Sequence, residues 1–315
     1  MDRQPAQESL HKDFLGIIGI TPGEPAGIGP EVSRKAVDSG RLDPDFSYRI
    51  LGDIQGSPSG QPSPATARMA LQALEDSVKL ALSREIAAIV TGPIHKHRMK
   101  EIGFPFPGQT EFFASRSATA NFAMLLTGGA LTVALVTVHV PLRQVPGLLS
   151  ESEIVRVGAL LEDFLSLRKQ SKVKIAVAGL NPHAGESGSL GHEEIEIIAP
   201  AVMKLNEMQG GSVFSGPFSP DTVFCRAANG EFDGVLCMYH DQGLIPLKLH
   251  AFDQGVNVTL GLPFVRTSPD HGTAFEIAGK GIARPDSMIS AINLAAEMVK
   301  KGMAMGCKPI ISPSI

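Results

Sequence analysis

The sequence predicts an α/β protein whose mostly parallel sheet carries helices on both sides. Short, continuous apolar runs alternate along the chain with amphipathic stretches, which is the order expected of strands joined by crossover helices. The runs are apolar throughout, as is typical of strands buried on both faces. Apolar residues make up 43% of the 315 residues, so the chain can bury a large core.

Six apolar runs are predicted to form strands, in this order: FLGIIGI, EIAAIVTG, NFAMLLTG, LTVALVTVHV, KIAVAGL and DGVLCMYH. The helical spacing of apolar residues predicts helices over 64–84, 151–169 and 192–208. The first of these helices is expected to be capped near Ser63. A last helix is expected to begin near Pro285, because proline is favoured in a first turn.

Composition and charge exclude several classes of partner. The chain has 28 Lys and Arg against 32 Asp and Glu, no Trp and 2 Tyr, so neither nucleic acid nor a membrane surface is an expected partner. Cys225, Cys237 and Cys307 are too few and too irregularly spaced for a disulfide framework or a Cys-based zinc site. No apolar run reaches the roughly 18 residues of a membrane span, and no signal core precedes the first strand. These features predict a cytoplasmic protein whose first dozen residues are loose.

Polar residues follow several predicted strands, where α/β sheets bind their ligands. The loop TPGEPAGIGPE, 21–31, has glycines that would let backbone amides approach an anion. An ordinary strand-to-helix turn is the alternative. After EIAAIVTG, Lys96 and the pair Gln109 and Thr110 stand near helix starts, which suits a bound phosphate. A solvated lysine and a threonine cap are the alternative there.

Three histidines each follow a predicted strand: His139, His183 and His240. Because neighbouring strands of a sheet lie about 4.8 Å apart, the loops at their ends can converge on one point. Three neutral imidazoles with an open position are the ligand set of a catalytic divalent metal. A single histidine in such a place is more often a hydrogen-bonded structural residue, and that alternative stays open.

Further hydrogen-bond donors follow in the last third of the chain. Lys248, Asn257 and Arg266 are predicted to hold a phosphate or carboxylate, with a solvated rim as the alternative for any one of them. The stretch that begins at His271 has glycines that permit close approach of the backbone to a ligand. Neither G-x-G-x-x-G nor a phosphate loop ending in G-K-[ST] occurs.

Together these motifs resemble the 4-hydroxythreonine-4-phosphate dehydrogenase family of vitamin B6 biosynthesis. The resemblance runs in the family's order from about residue 16 to residue 300, on TPGEPAGIGPE, VTGPIHK, PGQTEFFA, GLNPHAGESG, YHDQG and GVNVTLGLPFVRTSPDHGTAFEIAGKG. HGTAFEIAGKGIARP is also similar to the loop with which isopropylmalate dehydrogenases, which share the fold, bind NAD without a Rossmann fingerprint. The resemblance implies a two-lobed α/β/α subunit with mostly parallel sheets and a cleft between the lobes. Residues 1–115 and 265–315 would form the first lobe, and 116–264 the second.

The resemblance also implies a homodimer with active sites near its interface, and it assigns residues to roles. A divalent metal (Zn, Mg, Co, Mn or Ni) would be bound by His139, His183 and His240. NAD would be bound by His271, Gly272, Thr273 and Ala274. The substrate, a small phosphorylated hydroxy acid, would contact Gln109, Thr110, Lys248, Asn257 and Arg266. The candidate catalytic residues are Lys96, Asp241 and Asp270, of which the two aspartates are alternative general bases.

Two features depart from the family pattern. Gln109 stands where the family has a histidine; it can hydrogen-bond but cannot carry a charge or shuttle a proton near neutral pH. The stretch near residues 53–62 is shorter than expected for the family. The first departure bears on the substrate more than on the reaction, and the second lies away from the site motifs.

The implied reaction is the NAD-dependent and metal-dependent oxidation of 4-phosphooxy-L-threonine. Its β-keto acid product would lose CO₂ to give 3-amino-2-oxopropyl phosphate, a step in pyridoxal phosphate biosynthesis. Because of Gln109, a dehydrogenase of D-threonate or D-erythronate 4-phosphate in sugar-acid catabolism is the first alternative. A phosphate acyltransferase of related fold is a more remote one, because that chemistry does not need the three histidines.

Overall fold

A single ten-stranded sheet forms the centre of the computed structural model, which describes residues 14–52 and 57–303. The strands are β1 (Ile17–Thr21), β2 (Ser47–Ile50), β3 (Ala88–Thr91), β4 (Ala123–Gly128), β5 (Leu131–Leu135), β6 (Ile175–Ala178), β7 (Phe214–Phe218), β8 (Gly234–Cys237), β9 (Val256–Leu260) and β10 (Val265–Pro269). Their order across the sheet is β2-β1-β3-β10-β9-β4-β5-β8-β6-β7. The pairings β10–β9, β9–β4 and β4–β5 are antiparallel, and all others are parallel. The prediction of a mostly parallel sheet is confirmed.

Helices connect the strands, and the four predicted helices each have a counterpart near the predicted range. They are α1 (Gly29–Val37), α2 (Pro64–Leu82), α3 (Lys96–Glu101), α4 (Gln109–Arg116), α5 (Val145–Leu148), α6 (Glu151–Lys169), α7 (Ala199–Gln209), α8 (Pro220–Ala228), α9 (His240–Ala251) and α10 (Asp286–Lys300). The predicted cap of α2 is confirmed, because the Ser63 side chain accepts a hydrogen bond from the Thr66 amide. The predicted helix 192–208 is a π-helical turn, Glu194–Ile198, followed by α7.

All six predicted apolar runs contain a strand, but four strands have no counterpart among them. β2 and β7 are the two edge strands, and their sequences SYRI and FSGPF lack a continuous apolar run. β9 and β10 carry polar side chains on one face, which breaks the apolar signal. Asn257 and Arg266 therefore lie on strands and not in loops. In the run LTVALVTVHV the strand β5 stops at Leu135, before the run ends. His139 therefore lies in the segment that follows β5.

Helices cover both faces of the sheet, but the two faces differ. On one face α1, α6, α7 and α10 pack on the strands as one continuous apolar core. On the other face the core is divided: α2, α3 and α4 pack at one end, and α8 and α9 pack at the other. The middle strands β9 and β10 fill the gap with polar side chains such as Asn257 and Arg266. A cavity between α4 and α9 results from this division.

The strands from the two predicted lobes occupy different parts of the one sheet. β2, β1, β3 and β10 come from the ranges 1–115 and 265–315, and the other six strands come from 116–264. The two groups meet at the antiparallel pair β10–β9. The division of the chain into two lobes at these boundaries stays a prediction.

Some expectations fall outside the described residues. These are the loose first dozen residues, Cys307 and part of the short segment near 53–62. Within the described ranges, none of the helices combines the length and apolarity needed to cross a lipid bilayer.

Candidate functional site

The cavity between α4 and α9 has a volume of about 390 Å³ and collects most of the predicted site residues. The predicted residues that line it are Lys96, Gln109, Thr110, His139, His240, Lys248, Asn257, Arg266, Asp270, His271 and Gly272. Asp241, His183, Thr273 and Ala274 are not among its lining residues. Residues from 91–139 thus meet residues from 240–272 over the antiparallel middle of the sheet.

Arg266 lies at the floor of the cavity and is only 3% exposed. Its Nη1 donates to Thr259 Oγ1 at 3.1 Å, and its Nη2 donates to Thr91 Oγ1 at 2.7 Å and to Gln109 Oε1 at 3.1 Å. All three acceptors are neutral oxygens. Burial lowers the pKa of Arg266 to about 10, with Glu111 opposing the shift, so the guanidinium is charged at neutral pH. A buried cation with neutral partners is a site for an anionic ligand.

Gln109 is held at both ends of its side-chain amide. Oε1 accepts from Arg266, and Nε2 donates to the carbonyl of Gly92 at 2.9 Å. The residue begins α4, and Thr110 beside it lies 3.4 Å from the hydroxyl of Thr259. The amide orientation is therefore set by Arg266, which can only donate, and by the Gly92 carbonyl, which can only accept.

His139 and His240 lie side by side, with ring centroids 5.5 Å apart. His240 begins α9, and its Nδ1 is 2.8 Å from Asp241 Oδ1, which leaves Nε2 for another partner. The pKa of His139 is lowered, mainly by burial and then by the Lys96 ammonium, with a further small contribution from His240. Glu111, whose Oε1 lies 4.0 Å from His139 Nδ1, opposes this shift. The result is a neutral His139 ring near pH 7, the form that binds metals.

His183 is not brought to the other two histidines. It lies in the turn Pro182–Gly188 after β6 and is exposed. Among residues 14–52 and 57–303, no group of three metal-ligating side chains is assembled. Asp241 does not line the cavity, and its side chain is 71% exposed. The described residues of one chain therefore supply two of the three predicted ligands together.

Lys248 and Asp270 form an ion pair at the cavity wall, with Nζ 3.0 Å from Oδ2. Asn257 extends from β9 beside them, and its Oδ1 is buried without a hydrogen-bond partner in the described structure. A buried acceptor without a partner is costly in a folded protein. The three side chains together offer an ammonium, a carboxylate and a free amide oxygen to a ligand.

The glycine-rich stretch from His271 lies at the cavity mouth and is supported by the loop 21–31. The Ile28 amide donates to the carbonyl of Thr273 at 2.9 Å. A Cβ at Gly27 would lie 2.8 Å from that same carbonyl, so only glycine permits this approach. His271 Nε2 is buried and has no partner among the described atoms. The loop 21–31 thus acts here as a support for the predicted cofactor loop.

Glu111 is a cavity residue that sequence reasoning did not single out. It lies in the first turn of α4, next to Gln109 and Thr110. One of its carboxylate oxygens faces His139, and the other is buried without a partner in the described part of the chain. It directly follows two predicted substrate residues at the start of α4, and this adjacency along the chain was the available signal.

Comparisons with known proteins agree on one family. The family model described as "Pyridoxal phosphate biosynthetic protein PdxA" matches residues 31–295. A 4-hydroxythreonine-4-phosphate dehydrogenase of Erythrobacter litoralis is 48% identical over 89% of this chain and 96% of its own. The enzyme of that name from Caulobacter vibrioides is 42% identical over 90% of this chain and 98% of its own. A crystal structure of a 4-hydroxythreonine-4-phosphate dehydrogenase from Klebsiella pneumoniae superposes with a TM-score of 0.77 at 36% identity, covering 90% of this chain and 99% of that one.

Proposed function

This chain belongs to the family of the pyridoxal phosphate biosynthetic protein PdxA, and from that premise we propose that it is a 4-hydroxythreonine-4-phosphate dehydrogenase. The observation that carries the proposal is the buried guanidinium of Arg266, whose hydrogen-bond partners are all neutral. A phosphorylated amino acid brings the anion that this cation lacks. Oxidation of its secondary alcohol gives a β-keto acid, which loses CO₂ to yield 3-amino-2-oxopropyl phosphate in pyridoxal phosphate biosynthesis.

The substrate would lie with its anionic groups toward the two ends of the cavity. Arg266, Gln109 and Thr110 meet at one end, where hydroxyl, amide and guanidinium donors suit a phosphate. Lys248 and Asn257 also line the cavity; the Lys248 ammonium suits the carboxylate, and the free Oδ1 of Asn257 suits a donor of the substrate. Holding both ends would fix the alcohol carbon between them, which is the main contribution that positioning makes to catalysis.

Two of the three predicted histidine ligands are placed to bind one divalent metal. His139 and His240 are adjacent, His139 is neutral near pH 7, and His240 keeps Nε2 free of Asp241. We propose that they hold the metal together with His183. A metal bound there supplies Lewis-acid chemistry that lowers the pKa of the substrate hydroxyl.

We propose a homodimer in which a second copy brings His183 to the pair. The turn that carries His183 is exposed, and the described residues do not complete the ligand set in one chain. The outer face of α9, which begins at His240, presents an exposed apolar stripe of Ile245, Leu249 and Phe252. Apolar side chains at this spacing form one face of a helix and are typical of a protein interface.

Proton transfer needs a carboxylate at the reacting alcohol. Asp270 lines the cavity and is paired with Lys248, whereas Asp241 is exposed and holds the Nδ1 side of His240. We therefore propose the Asp270 carboxylate as the base that accepts the hydroxyl proton, and Asp241 as the residue that orients His240. Lys96, whose ammonium also lines the cavity, would give a proton to the carbon that loses CO₂.

The stretch His271, Gly272, Thr273 and Ala274 is proposed to bind NAD, which accepts the hydride. Support comes from the unpaired, buried Nε2 of His271 and from the packing of Thr273 on Gly27.

The free thiols of Cys225 and Cys237 accord with the proposed cytoplasmic location.

A substrate panel tests the proposal. The chain is freed of metal with a chelator, resupplied with single divalent metals, and assayed for NADH formation on 4-hydroxythreonine 4-phosphate, D-threonate 4-phosphate and D-erythronate 4-phosphate. We expect turnover of the first substrate, because the relatives reported above carry its name. Faster turnover of a sugar-acid phosphate, or no metal dependence, would contradict the assignment. NADH formation on any of the three also excludes an acyltransferase.

A further inference from the structure

The turn that carries His183 has an unusual backbone. At positions 183 to 187 the φ angles are 52°, 51°, 78°, 46° and 57°, so five consecutive residues are left-handed. Four of them have a side chain, whose Cβ is pushed toward the following carbonyl in this conformation. Left-handed residues normally occur singly. A run of five therefore needs support from outside the turn.

Glu194 provides contacts of the required kind. Its side chain is buried, with 3% exposure, although it is a carboxylate. Oε1 accepts from the amides of Leu180 and Asn181, each at 2.7 Å, and Oε2 accepts from Asn181 Nδ2 at 2.9 Å. Three donors from the two residues that precede the turn thus converge on one buried group. Such hydrogen bonds to a carboxylate are short and stronger than neutral ones.

The turn also packs directly on this carboxylate. A Cβ at Gly185 would lie 2.6 Å from Glu194 Oε2 and 3.0 Å from the Gly191 carbonyl. The left-handed turn therefore wraps around the carboxylate at a point where only a glycine fits. Glu194 contacts the chain before the turn through hydrogen bonds and the turn itself through packing.

The base of the turn is anchored a second time. Gln242, buried on α9, donates to the carbonyl of Gly179 at 2.7 Å and accepts from the amide of Met238 at 2.7 Å. Glu194 itself begins the π-helical turn Glu194–Ile198, and such single turns occur often at functional sites. Glu194 and Gln242 thus hold residues 179–181, the segment that leads into the His183 turn.

We propose that Glu194 is a positioning residue that holds the left-handed turn in the conformation in which His183 is presented to a divalent metal. The inference rests on the proposed function for the role of His183. The hydrogen bonds and the packing of Glu194, which together form the Glu194 clamp, do not depend on that role.

Glu194→Gln tests the clamp with little change in size. The glutamine keeps one acceptor oxygen but turns an amide donor toward the Asn181 amide, so the Oε2 hydrogen bond is lost. Glu196→Gln is the matched control, because Glu196 is exposed on the same turn and carries the same charge. Both full-length variants and the parent chain are freed of metal and titrated with Zn²⁺ by calorimetry. We expect the Kd of Glu194→Gln to rise by about 10- to 100-fold and that of Glu196→Gln to match the parent.

Hydrogen exchange read by mass spectrometry follows the turn itself, without metal. Peptides covering 179–191 are expected to exchange faster in Glu194→Gln than in Glu196→Gln, while peptides covering α10 exchange alike. If the parent chain binds no Zn²⁺, the metal role of His183 fails and the exchange rates alone decide the clamp. Equal exchange and equal Kd in the two variants would overturn the inference.

A second variant covers a failure of Glu194→Gln to fold, which circular dichroism and the thermal midpoint would reveal. Asn181→Ala removes the donor to Oε2 but leaves both backbone hydrogen bonds to Oε1 in place. We expect a smaller rise in exchange and in the Kd for Zn²⁺, with the KM for NAD unchanged because the 271–274 stretch is separate. A folded Asn181→Ala variant that matches the parent in both measurements would also overturn the inference.

Discussion

Arg266 Nη2 donates a hydrogen bond to Gln109 Oε1 at 3.1 Å, and this contact links a buried cation on β10 to the first residue of α4. Gln109 in turn donates to the Gly92 carbonyl at 2.9 Å. The residue at position 109 is thus a hydrogen-bonded partner of Arg266 without a charge of its own. The guanidinium keeps its full charge for a ligand.

Gln109→Glu should weaken substrate binding. A carboxylate at this position would give Arg266 an internal counter-ion, so the substrate anion would have to compete with it. We expect the KM for the phosphorylated substrate to rise by about 10- to 100-fold, the magnitude of a lost hydrogen bond to a charged group. Steady-state kinetics measure this, with Gln209→Glu, an exposed change of the same kind, as control. An unchanged KM would mean that the anion binds elsewhere.

Arg266→Lys should cost activity although the charge is kept. Lysine has one ammonium in place of the planar fork that reaches Thr259, Thr91 and Gln109. We expect kcat/KM to fall by about 100-fold or more, with most of the loss in KM. Arg49→Lys, an exposed change on an edge strand, serves as control. Equal kcat/KM in the two variants would remove Arg266 from the binding site.

The sequence predicted the fold better where a strand is apolar than where it carries a ligand-binding side chain. Runs such as KIAVAGL are buried on both faces, so their composition alone identifies them as strands. The strands VNVTL and VRTSP were not predicted, because Asn257 and Arg266 replace apolar residues on the face toward the cavity. The polar residues that create the site are the ones that hide its strands.

The candidate site was likewise predictable in membership more than in geometry. Residue types indicated His240 at a strand end and Lys248 and Arg266 as anion-binding donors, and all three line the cavity. Spacing along the chain gave no indication that His183 lies on a left-handed turn apart from the other histidines. Glu194, which packs against that turn, is buried through tertiary packing, which leaves no local pattern in the sequence.

The pKa of His139 gives a prediction for the metal-free protein in acid. Burial and then Lys96 lower the pKa of His139, so the folded state binds this proton less readily than the unfolded chain, whose histidines titrate at about 6.5. The stability contributed by the neutral ring is fully present above about pH 6.5 and is lost as the pH falls from there toward the lowered pKa.

His139→Gln should therefore lose less free energy of unfolding than the parent chain between about pH 7 and pH 5. Urea denaturation at a series of pH values, with a chelator present, measures the difference. His97→Gln replaces an exposed histidine on α3 and is the control. Parallel curves for the parent and His139→Gln would show that folding does not lower the pKa of His139.

Thiol labelling should report on the junction between β8 and α9 without any need for activity. Cys237 ends β8, is fully buried, and lies against Gly243, where a Cβ would come within 3.0 Å of Sγ. Burial raises the pKa of this thiol, which leaves very little of the reactive thiolate. Cys225 on α8 is exposed.

We expect iodoacetamide to modify Cys237 about 100-fold or more slowly than Cys225, because the reagent reaches Cys237 only when the junction between β8 and α9 opens. Peptide mass spectrometry separates the two sites within one sample, so Cys225 is an internal reference. Zn²⁺ should slow the labelling of Cys237 further. His240 lies at the start of α9, and a metal that binds only the folded junction opposes its opening. A Cys237 rate that equals the Cys225 rate would contradict the buried junction. If Zn²⁺ does not change the labelling rate of Cys237, His240 is not a ligand of the metal.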